Sequence, residues 1–491
     1  MKKYNFVCVQ TIFNDRMDTK KLRQKILDLA IHGKLVPQDP NDEPASVLLE
    51  RIRAEKERLI AEGKIKRSKK SATSNTSHYE NVPFEVPEGW EWVSLSEIAH
   101  SCLGKMLDKA KNQGTLQPYL RNVNVRWGTF ELEDLLQMPF VEEEDERFSV
   151  VQGDLVVCEG GEPGRCAIWE NNESIKFQKA LHRIRCFNGA LNYYIKIVIE
   201  WYASSKNIEL YYTGSTIKHL TGEALNTLQI PLPPIQEQHH IVSIVDQWMS
   251  LIDLFDTESS ELKQSIEKAK SKILDLAIHG KLVPKDPNDE PASELLKRIN
   301  PKAVASCDNP HYGKVPSSWV ISTVGEVFTI NPKTHAEDDT EAAFVPMTCV
   351  ADGYSNTFEY ECRKWGDIKK GFVHFQENDV AVAKISPCLE NRKSVVFHDL
   401  PNGIGAGTTE LNVFRCAEVL PEYALFYFKS KMFIGSCAGT YNGVVGQQRV
   451  AKSFIQELPI GIPPYNEQLR IVSKVNDLFS HLDMIEKSLQ A

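Results

Sequence analysis

Basic and amide side chains cluster in the stretch YLRNVNVRWG, which contains Arg121, Asn122, Asn124 and Arg126. Arginine pairs most often with the acceptor edge of guanine, and asparagine with the paired donor and acceptor of adenine. Side chains of these types, spaced so closely, predict contact with nucleic acid.

Further candidates of the same kind occur in both halves of the chain. The first half adds Gly161 and Arg165 in CEGGEPGRCAIW, then Lys179 and Arg183 in SIKFQKALHRIR, and Lys218 in TGSTIKHL. The second half adds Lys384, Arg392, Lys393, Thr408, Asn442, Gln447 and Arg449. Glycine lets a backbone approach a ligand closely, and Lys and Thr suit phosphate oxygens. A single surface cation is more commonly just solvated, so the clusters carry the prediction of DNA binding.

Motifs for catalysis are missing from the sequence. There is no G-x-x-x-x-G-K-[ST] phosphate loop and no H-E-x-x-H metal motif. The stretch IPPYNEQ partly matches the motif of amino-methyltransferases, but Ile462 stands where an Asn or Asp must bind the target amine. We therefore predict no catalytic, cofactor-binding or metal-binding residues, and a protein that is not an enzyme.

Composition limits the class of protein. A chain of 491 residues is too long for one ordinary core, so two or more domains are expected. The net charge of −9 provides no general attraction for nucleic acid, so DNA binding would need local basic surface or a partner. Eleven cysteines without a C-x-x-C indicate reduced thiols and a cytoplasmic location. No apolar run reaches the ~18–20 residues of a membrane span.

Three sequence motifs occur twice. KILDLAIHGKLVP stands at 25–37 and at 272–284, and LQIPLPPIQEQHHIVSIVDQW at 228–248 resembles LPIGIPPYNEQLRIVSKVNDL at 458–478. A weaker pair is VPEGWEWVSLSEI and VPSSWVISTVGEV. The N-terminus repeats the end of the middle segment and the C-terminus repeats its beginning. The repeat is therefore circular, and the two termini together would make a second copy of the middle.

The middle segment predicts one long helix between the prolines at 233–234 and 284. Its apolar residues follow a heptad pattern: Ile241, Val245, Trp248, Ile252, Phe255, Leu262, Ile266, Ala269, Ile273 and Leu276. About 42 residues would make a rod of roughly 63 Å. Such a stripe needs a partner helix, and the simplest partner is the copy formed by the termini. The alternative is that these are core helices of two ordinary tandem domains.

Five segments follow from these patterns. They are 1–79 (conserved helix, turn, short helix and linker), 80–235 (variable domain), 236–309 (central long helix and short helix), 310–465 (variable domain) and 466–491 (C-terminal helix). DLVVCE and DVAVAK predict matching strands, while ALNYYIKIVIEWYASS and PEYALFYFKSKMF predict helices. The expected fold is α/β, with two α/β domains joined by long antiparallel coiled-coil helices in a pseudo-twofold, circular repeat.

With these motifs the chain resembles, over nearly its whole length, the specificity subunit of a type I restriction-modification system. The resemblance implies two target recognition domains that each read one part of a bipartite site in double-stranded DNA. It also implies helices that set the spacing and dock two methyltransferase subunits, and restriction subunits as further partners. S-adenosylmethionine, ATP and Mg²⁺ would then be bound by those partners only. Two alternatives are a stand-alone DNA methyltransferase or endonuclease, and a protein-only coiled-coil scaffold.

Overall fold

The computed structural model describes residues 18–65, 83–108, 110, 112–187, 191–303, 306, 308–415, 418–441 and 448–488. Asn442, Gln447 and most of the predicted linker at 63–77 lie outside these residues. The chain divides into two compact units, Met1–Glu258 (unit 1) and Ser259–Ala491 (unit 2). This single boundary coincides with none of the boundaries of the predicted five-segment division, so that division stays a prediction.

The described part of unit 1 contains six complete helices and the start of a seventh: α1 Thr19–Ile31, α2 Ala45–Ala61, α3 Leu95–Ile98, α4 Asp145–Phe148, α5 Asn192–Ser204, α6 Gly222–Asn226 and α7 Ile235–Ile278. Its strands are β1 Glu91–Ser94, β2 Ala99–Leu103, β3 Thr115–Leu120, β4 Leu136–Phe140, β5 Ser149–Val150, β6 Leu155–Cys158, β7 Cys166–Ile168, β8 Ile175–Phe177, β9 Leu181–Cys186 and β10 Gln229–Leu232. They form two four-stranded sheets, in the orders β2-β9-β6-β7 and β4-β3-β8-β5, and the pair β1-β10. All pairs are antiparallel except β3 and β8.

Unit 2 repeats this arrangement. After the end of α7 come α8 Ala292–Ile299, α9 Val324–Val327, α10 Trp365–Ile368, α11 Pro421–Lys429, α12 Lys431–Cys437, α13 Lys452–Glu457 and α14 Tyr465–Ser488. The strands are β11 Asp308–Asn309, β12 Gly313–Lys314, β13 Val320–Thr323, β14 Thr329–Ile330, β15 Glu341–Val345, β16 Glu361–Lys364, β17 Val373–Gln376, β18 Val380–Ala383, β19 Ser394–Val396, β20 Ile404–Gly407, β21 Leu411–Arg415 and β22 Pro459–Ile462. The sheet orders are β14-β21-β18-β19 and β16-β15-β20-β17, with the pairs β13-β22 and β11-β12. The predicted α/β class and the matching strands β6 and β18 are confirmed.

The repeated motifs meet in the core of each unit. In unit 1 the Trp90 indole donates to the buried Glu237 carboxylate at 2.8 Å, which joins the VPEGW motif to the PPIQEQ motif. In unit 2 the Trp319 indole donates to the buried Glu467 carboxylate at 2.9 Å. Each unit therefore uses one copy of each motif, which explains why the repeat is circular in the sequence.

In unit 1, α1 runs antiparallel to the first part of α7. One Arg23 guanidinium nitrogen lies 2.7 Å from Asp253 and 2.9 Å from Asp256, while Gln38, after α1, donates to Glu237 near the start of α7. Apolar side chains of the two helices are buried: Ile26 on α1, and Ile241, Val245 and Ile252 at predicted heptad positions of α7. The N-terminal helix thus packs against the middle helix as predicted.

In unit 2, α14 packs in the same sense against the later part of α7. The buried Lys270 ammonium lies 2.6 Å from Asp483, and Arg470 pairs with Asp289 further along the chain. Ile266, at a predicted heptad position of α7, is buried, as are Ile471 and Val475 on α14. Two predicted heptad positions of α7 are not buried: Trp248, in unit 1, is 36% exposed, and Leu262, in unit 2, is 37% exposed.

Two general features concern the described residues alone. None of the helices in the described ranges combines the length and the apolar character that crossing a membrane requires. The eight cysteines in these ranges are free thiols.

Candidate nucleic-acid interface

Three loops of unit 1 form one continuous surface, which we call the three-loop surface. They are residues 121–127 after β3, residues 159–165 between β6 and β7, and the hairpin at 213–219. The strands and helices behind them are buried, so the sheet framework fixes where each loop begins and ends. Loops on a rigid framework are the usual place for recognition residues.

The first two loops are joined by side-chain hydrogen bonds. Arg165 Nη2 donates to the carbonyl of Asn122 at 2.8 Å, and the Trp127 indole donates to Glu162 at 2.8 Å. Gly161 has a φ of +80°, and a Cβ added there would lie 3.0 Å from the Asn122 amide nitrogen. A side chain at 161 would therefore be strained and crowded, and glycine lets the two loops approach each other.

The third loop rests on the second. The Tyr212 hydroxyl donates to the carbonyl of Pro163 at 2.7 Å, and the Leu220 amide donates to the carbonyl of Glu159 at 2.8 Å. A Cβ added at Gly160 would lie 3.2 Å from the His219 ring, so this glycine also permits a close approach.

The predicted cations of the three-loop surface are all paired with carboxylates. The pairs are Arg121–Asp134 (2.8 Å), Arg126–Glu131 (2.7 Å), Arg165–Glu162 (3.0 Å) and Lys218–Glu209 (3.1 Å). The pairing orients the guanidinium groups and lowers the net charge that this surface presents to phosphates. This arrangement suits hydrogen bonding to base edges better than attraction of the DNA backbone.

Asn124 and Arg183 are buried, which favours a structural role over contact with a ligand. The Asn124 amide nitrogen donates to the carbonyls of Glu131 and Asp134, and its oxygen accepts from the Arg121 amide. Arg183 Nη1 donates to the Ser149 carbonyl at 2.6 Å, and burial lowers the pKa of its guanidinium.

Lys179 is exposed between β8 and β9, outside the three loops. Its role in DNA binding stays a prediction, as does that of the other exposed candidates.

In unit 2 the loop 384–393, between β18 and β19, corresponds to the second loop of unit 1. It brings Lys384 close to Glu410, whose pKa is lowered chiefly by its hydrogen bonds with Arg449, at 2.6 and 2.8 Å. Thr408 belongs to the same cluster, since its hydroxyl accepts from the Glu410 amide. Three predicted residues, Lys384, Thr408 and Arg449, are thus brought together.

The other predicted cations of this loop turn towards the protein. Lys393 Nζ donates to the Val350 carbonyl at 2.7 Å, and the Arg392 guanidinium lies over the Tyr354 ring at 4.7 Å. Below them Lys429, 1% exposed, donates to the Arg392 carbonyl at 2.8 Å, and burial lowers its pKa to about 7. These contacts hold the loop in place and leave Arg392 and Lys393 less available to a ligand.

Sequence reasoning missed several residues that the structure makes prominent. Trp127 and Ile217 are exposed on the three-loop surface. The spacing of apolar residues in the sequence did not indicate that these two side chains face solvent. The acidic run EEEDE at 142–146 is partly held by buried lysines. Lys105 lies 2.5 Å from Glu144, and Lys176 pairs with Asp145.

The two units share a framework but carry different loops. Asp154 accepts two hydrogen bonds from Arg185 at 2.7 Å each, and Asp379 accepts two from Arg415 at 2.7 and 2.6 Å. The loops between the equivalent strands have no such correspondence, since a diglycine turn in unit 1 stands where unit 2 has SPCLENRK. Within the described residues no group of three or more His, Cys, Asp or Glu is placed to hold a metal ion.

Comparison with known proteins identifies the same two halves. The family model for the type I restriction modification DNA specificity domain matches residues 87–264 and again 316–491. The specificity subunits of the type I restriction enzymes EcoEI and EcoAI, both of Escherichia coli, are similar to this chain. The identities are 42% over 243 residues and 38% over 273 residues. These alignments cover 45% and 50% of this chain, but only 40% and 46% of the relatives, so the chain spans less than half their length.

More distant matches extend further along the chain. The EcoKI specificity subunit of Escherichia coli K12 is 20% identical over 432 residues, which is 82% of this chain and 85% of the relative. A chain from a solved structure of the type I R-M system matches with a TM-score of 0.56 at 15% identity, covering 83% of this chain and 94% of the other. At that identity the likeness concerns the fold. Because the family model matches well over half of the chain, in two separate copies, the chain belongs to the family of the type I restriction modification DNA specificity domain.

Proposed function

We propose that this chain is the DNA-recognition subunit of a type I restriction-modification complex and has no catalytic role of its own. Each unit reads one part of a bipartite site in double-stranded DNA. The observation that carries the proposal is the pairing of one repeated framework with two unlike loop surfaces, one at 121–127, 159–165 and 213–219 and the other at 384–393. Two readers of different half-sites need this combination of constant support and variable contact.

Partner subunits supply the chemistry in this proposal. Two methyltransferase subunits bind S-adenosylmethionine, and restriction subunits bind ATP and Mg²⁺. An exposed apolar strip on α7 supports docking of a protein. Leu251 and Leu254 are 57% and 54% exposed and border a shallow depression of about 510 Å³ that also includes Asp246, Gln247 and Ser250. Contiguous exposed apolar surface bordered by polar residues is typical of protein interfaces.

The decisive experiment is methylome sequencing of a host that lacks other methyltransferases and expresses this chain with its cognate methyltransferase subunit. The expected result is methylation at one bipartite motif, with two specified half-sites and an unspecified gap. A control strain expresses the methyltransferase subunit alone and shows no such motif. Methylation by this chain alone would instead establish a stand-alone enzyme.

A domain exchange shows which half-site unit 1 reads. Residues 87–234 are replaced by the equivalent part of a relative of different specificity. We expect one half-site to change and the other to stay the same. Simultaneous change of both half-sites would contradict independent reading by the two units.

A further inference from the structure

Ile217 lies at the tip of a tightly closed hairpin. Thr213 and His219 exchange two backbone hydrogen bonds of 2.9 Å, which close the turn between them. Gly214, at a φ of +91°, permits this closure because a Cβ added there would lie 2.3 Å from the Ile217 carbonyl oxygen. The Ile217 side chain is 67% exposed at this tip.

Folding alone does not account for an isoleucine in this position. The side chain is absent from the buried clusters of the described part of unit 1, so it contributes little burial of apolar area. Its neighbours Ser215, Thr216 and Lys218 are polar and exposed. A β-branched side chain has few rotamers, so it loses little entropy when a ligand covers it. These properties suit a rigid apolar contact.

The charge pairing on the rest of the three-loop surface limits the kind of ligand that this surface can bind. Its four predicted cations are committed to carboxylates, so this surface offers hydrogen-bonding edges and apolar tips more than free positive charge. On the major-groove edge of DNA, the base feature that an aliphatic side chain distinguishes is the 5-methyl group of thymine.

We propose that Ile217 is a specificity-determining residue that contacts the 5-methyl group of a thymine in the half-site read by unit 1. This inference rests on the proposed function, because it assumes that the three-loop surface faces DNA. It goes further by assigning one base feature to one side chain. Polar side chains beside Ile217, such as Thr216, are suited to hydrogen bonds with the neighbouring phosphates.

The test compares thymine with deoxyuridine, which pairs identically but lacks the methyl group. The full chain, assembled with its methyltransferase subunits, is titrated with duplexes that carry the mapped bipartite site, each with one thymine replaced. At one position of the half-site of unit 1, replacement should weaken binding about fourfold, the contribution of one buried methyl group. The variant Ile217→Ala should bind the thymine duplex about fourfold or more weakly and should no longer distinguish the two duplexes. Ile217→Val keeps an aliphatic contact and should retain most of the distinction.

Two controls separate this contact from general damage. Leu116→Ala removes a comparably exposed side chain (60%) from β3, outside the three loops, and should leave the thymine preference unchanged. Deoxyuridine in the other half-site should affect Ile217→Ala and the natural chain equally. The inference is overturned if Ile217→Ala keeps the full thymine preference, or if that half-site contains no thymine. Failure of the whole assembly to bind any specific duplex would instead refute the proposed function, and the inference with it.

Discussion

A buried glutamate near the start of the last helix of each unit has a different partner in the two copies. Glu237 accepts from the neutral Gln38 amide at 3.0 Å, whereas Glu467 accepts from the Lys285 ammonium. Positions 38 and 285 are one of only three differences in the 28-residue repeat at 25–52 and 272–299. Without a cation, burial raises the pKa of Glu237 despite two hydrogen bonds.

We predict that Gln38→Lys stabilises unit 1 by about 1 kcal/mol at neutral pH, because an ammonium donor, which forms an ion pair with the Glu237 carboxylate, replaces a neutral amide donor. The pH dependence has a defined sign. As pH rises between the unfolded pKa of Glu237 and its raised folded pKa, the unfolded state loses its proton first and stability falls. Urea unfolding at pH 5 and 7.5 should show this loss in the natural chain and a smaller loss in Gln38→Lys.

The matched reverse change is Lys285→Gln, which should destabilise unit 2 by a similar amount. A Glu237→Gln background provides the control, since Gln38→Lys should bring no gain there. An equal gain in both backgrounds would show that the lysine acts on some other group.

Substitution by methionine should have different effects at Arg183 and at Arg126, on stability at the first and on DNA binding at the second. Arg183→Met leaves the carbonyls of Glu146 and Ser149 without their donor, so we expect a loss of about 2 kcal/mol in unfolding free energy. Arg126→Met removes a partly exposed guanidinium and should leave stability within about 0.5 kcal/mol while weakening binding of one half-site. Urea unfolding and duplex titration of both variants measure these effects. Equal stability of the two variants would contradict the structural role of Arg183.

The residues of the site could be predicted only in part from the sequence. Residue type identified Arg121, Arg126 and Lys218 as surface cations, but it did not reveal their carboxylate partners. Asn124 looked equally suitable as a base reader, yet its amide is used inside a 3-10 turn at Asn122–Asn124. Whether an amide faces solvent or its own backbone depends on the local turn, which residue type alone does not define.

Elements with a regular pattern were predicted better than sheet order. The heptad and its flanking prolines predicted α7 nearly to its ends, at Ile235–Ile278. The parallel pairing of β3 with β8 and of β15 with β20 was not predicted, since each joins segments more than fifty residues apart. Periodicity describes one segment at a time, whereas pairing depends on the folded whole.

The glycine after α1 illustrates how the repeat ends a helix and docks it. Gly33 has a φ of +64°, and a Cβ added there would lie 2.3 Å from Pro87 Cγ. Gly63, after α2, has a φ of +75° with nothing within 4 Å. Both are left-handed positions that favour glycine, but only Gly33 also contacts the repeated VPEGW motif.

We predict that Gly33→Ala destabilises unit 1 by about 2–3 kcal/mol, as backbone strain and overpacking add. Gly63→Ala serves as the matched control and should cost only about 1 kcal/mol, from strain alone. Thermal or urea unfolding of the two variants provides the comparison. If both variants lose the same stability, the contact with Pro87 contributes nothing.

At the scale of the whole molecule, the circular repeat makes each unit complete in itself. Unit 1 takes its KILDLAIHG motif from the N-terminus and its PPIQEQ motif from the middle, and unit 2 takes its KILDLAIHG motif from the middle and its PPYNEQ motif from the C-terminus. The middle helix α7, 44 residues long, contributes to both. At about 1.5 Å per residue it measures roughly 66 Å. We propose that its length sets the gap between the two half-sites.

A heptad inserted between Glu258 and Ser259 tests this proposal. Seven residues keep the apolar stripe on one face and add about 10.5 Å, which is the length of roughly three base pairs. We therefore expect the unspecified gap to grow by about three base pairs while both half-sites keep their sequence. Methylome sequencing reads both properties at once, and seven residues inserted after Thr73, in the predicted linker, should leave the gap unchanged. A changed half-site with the original gap would show that α7 positions the reading loops instead of measuring the distance between half-sites.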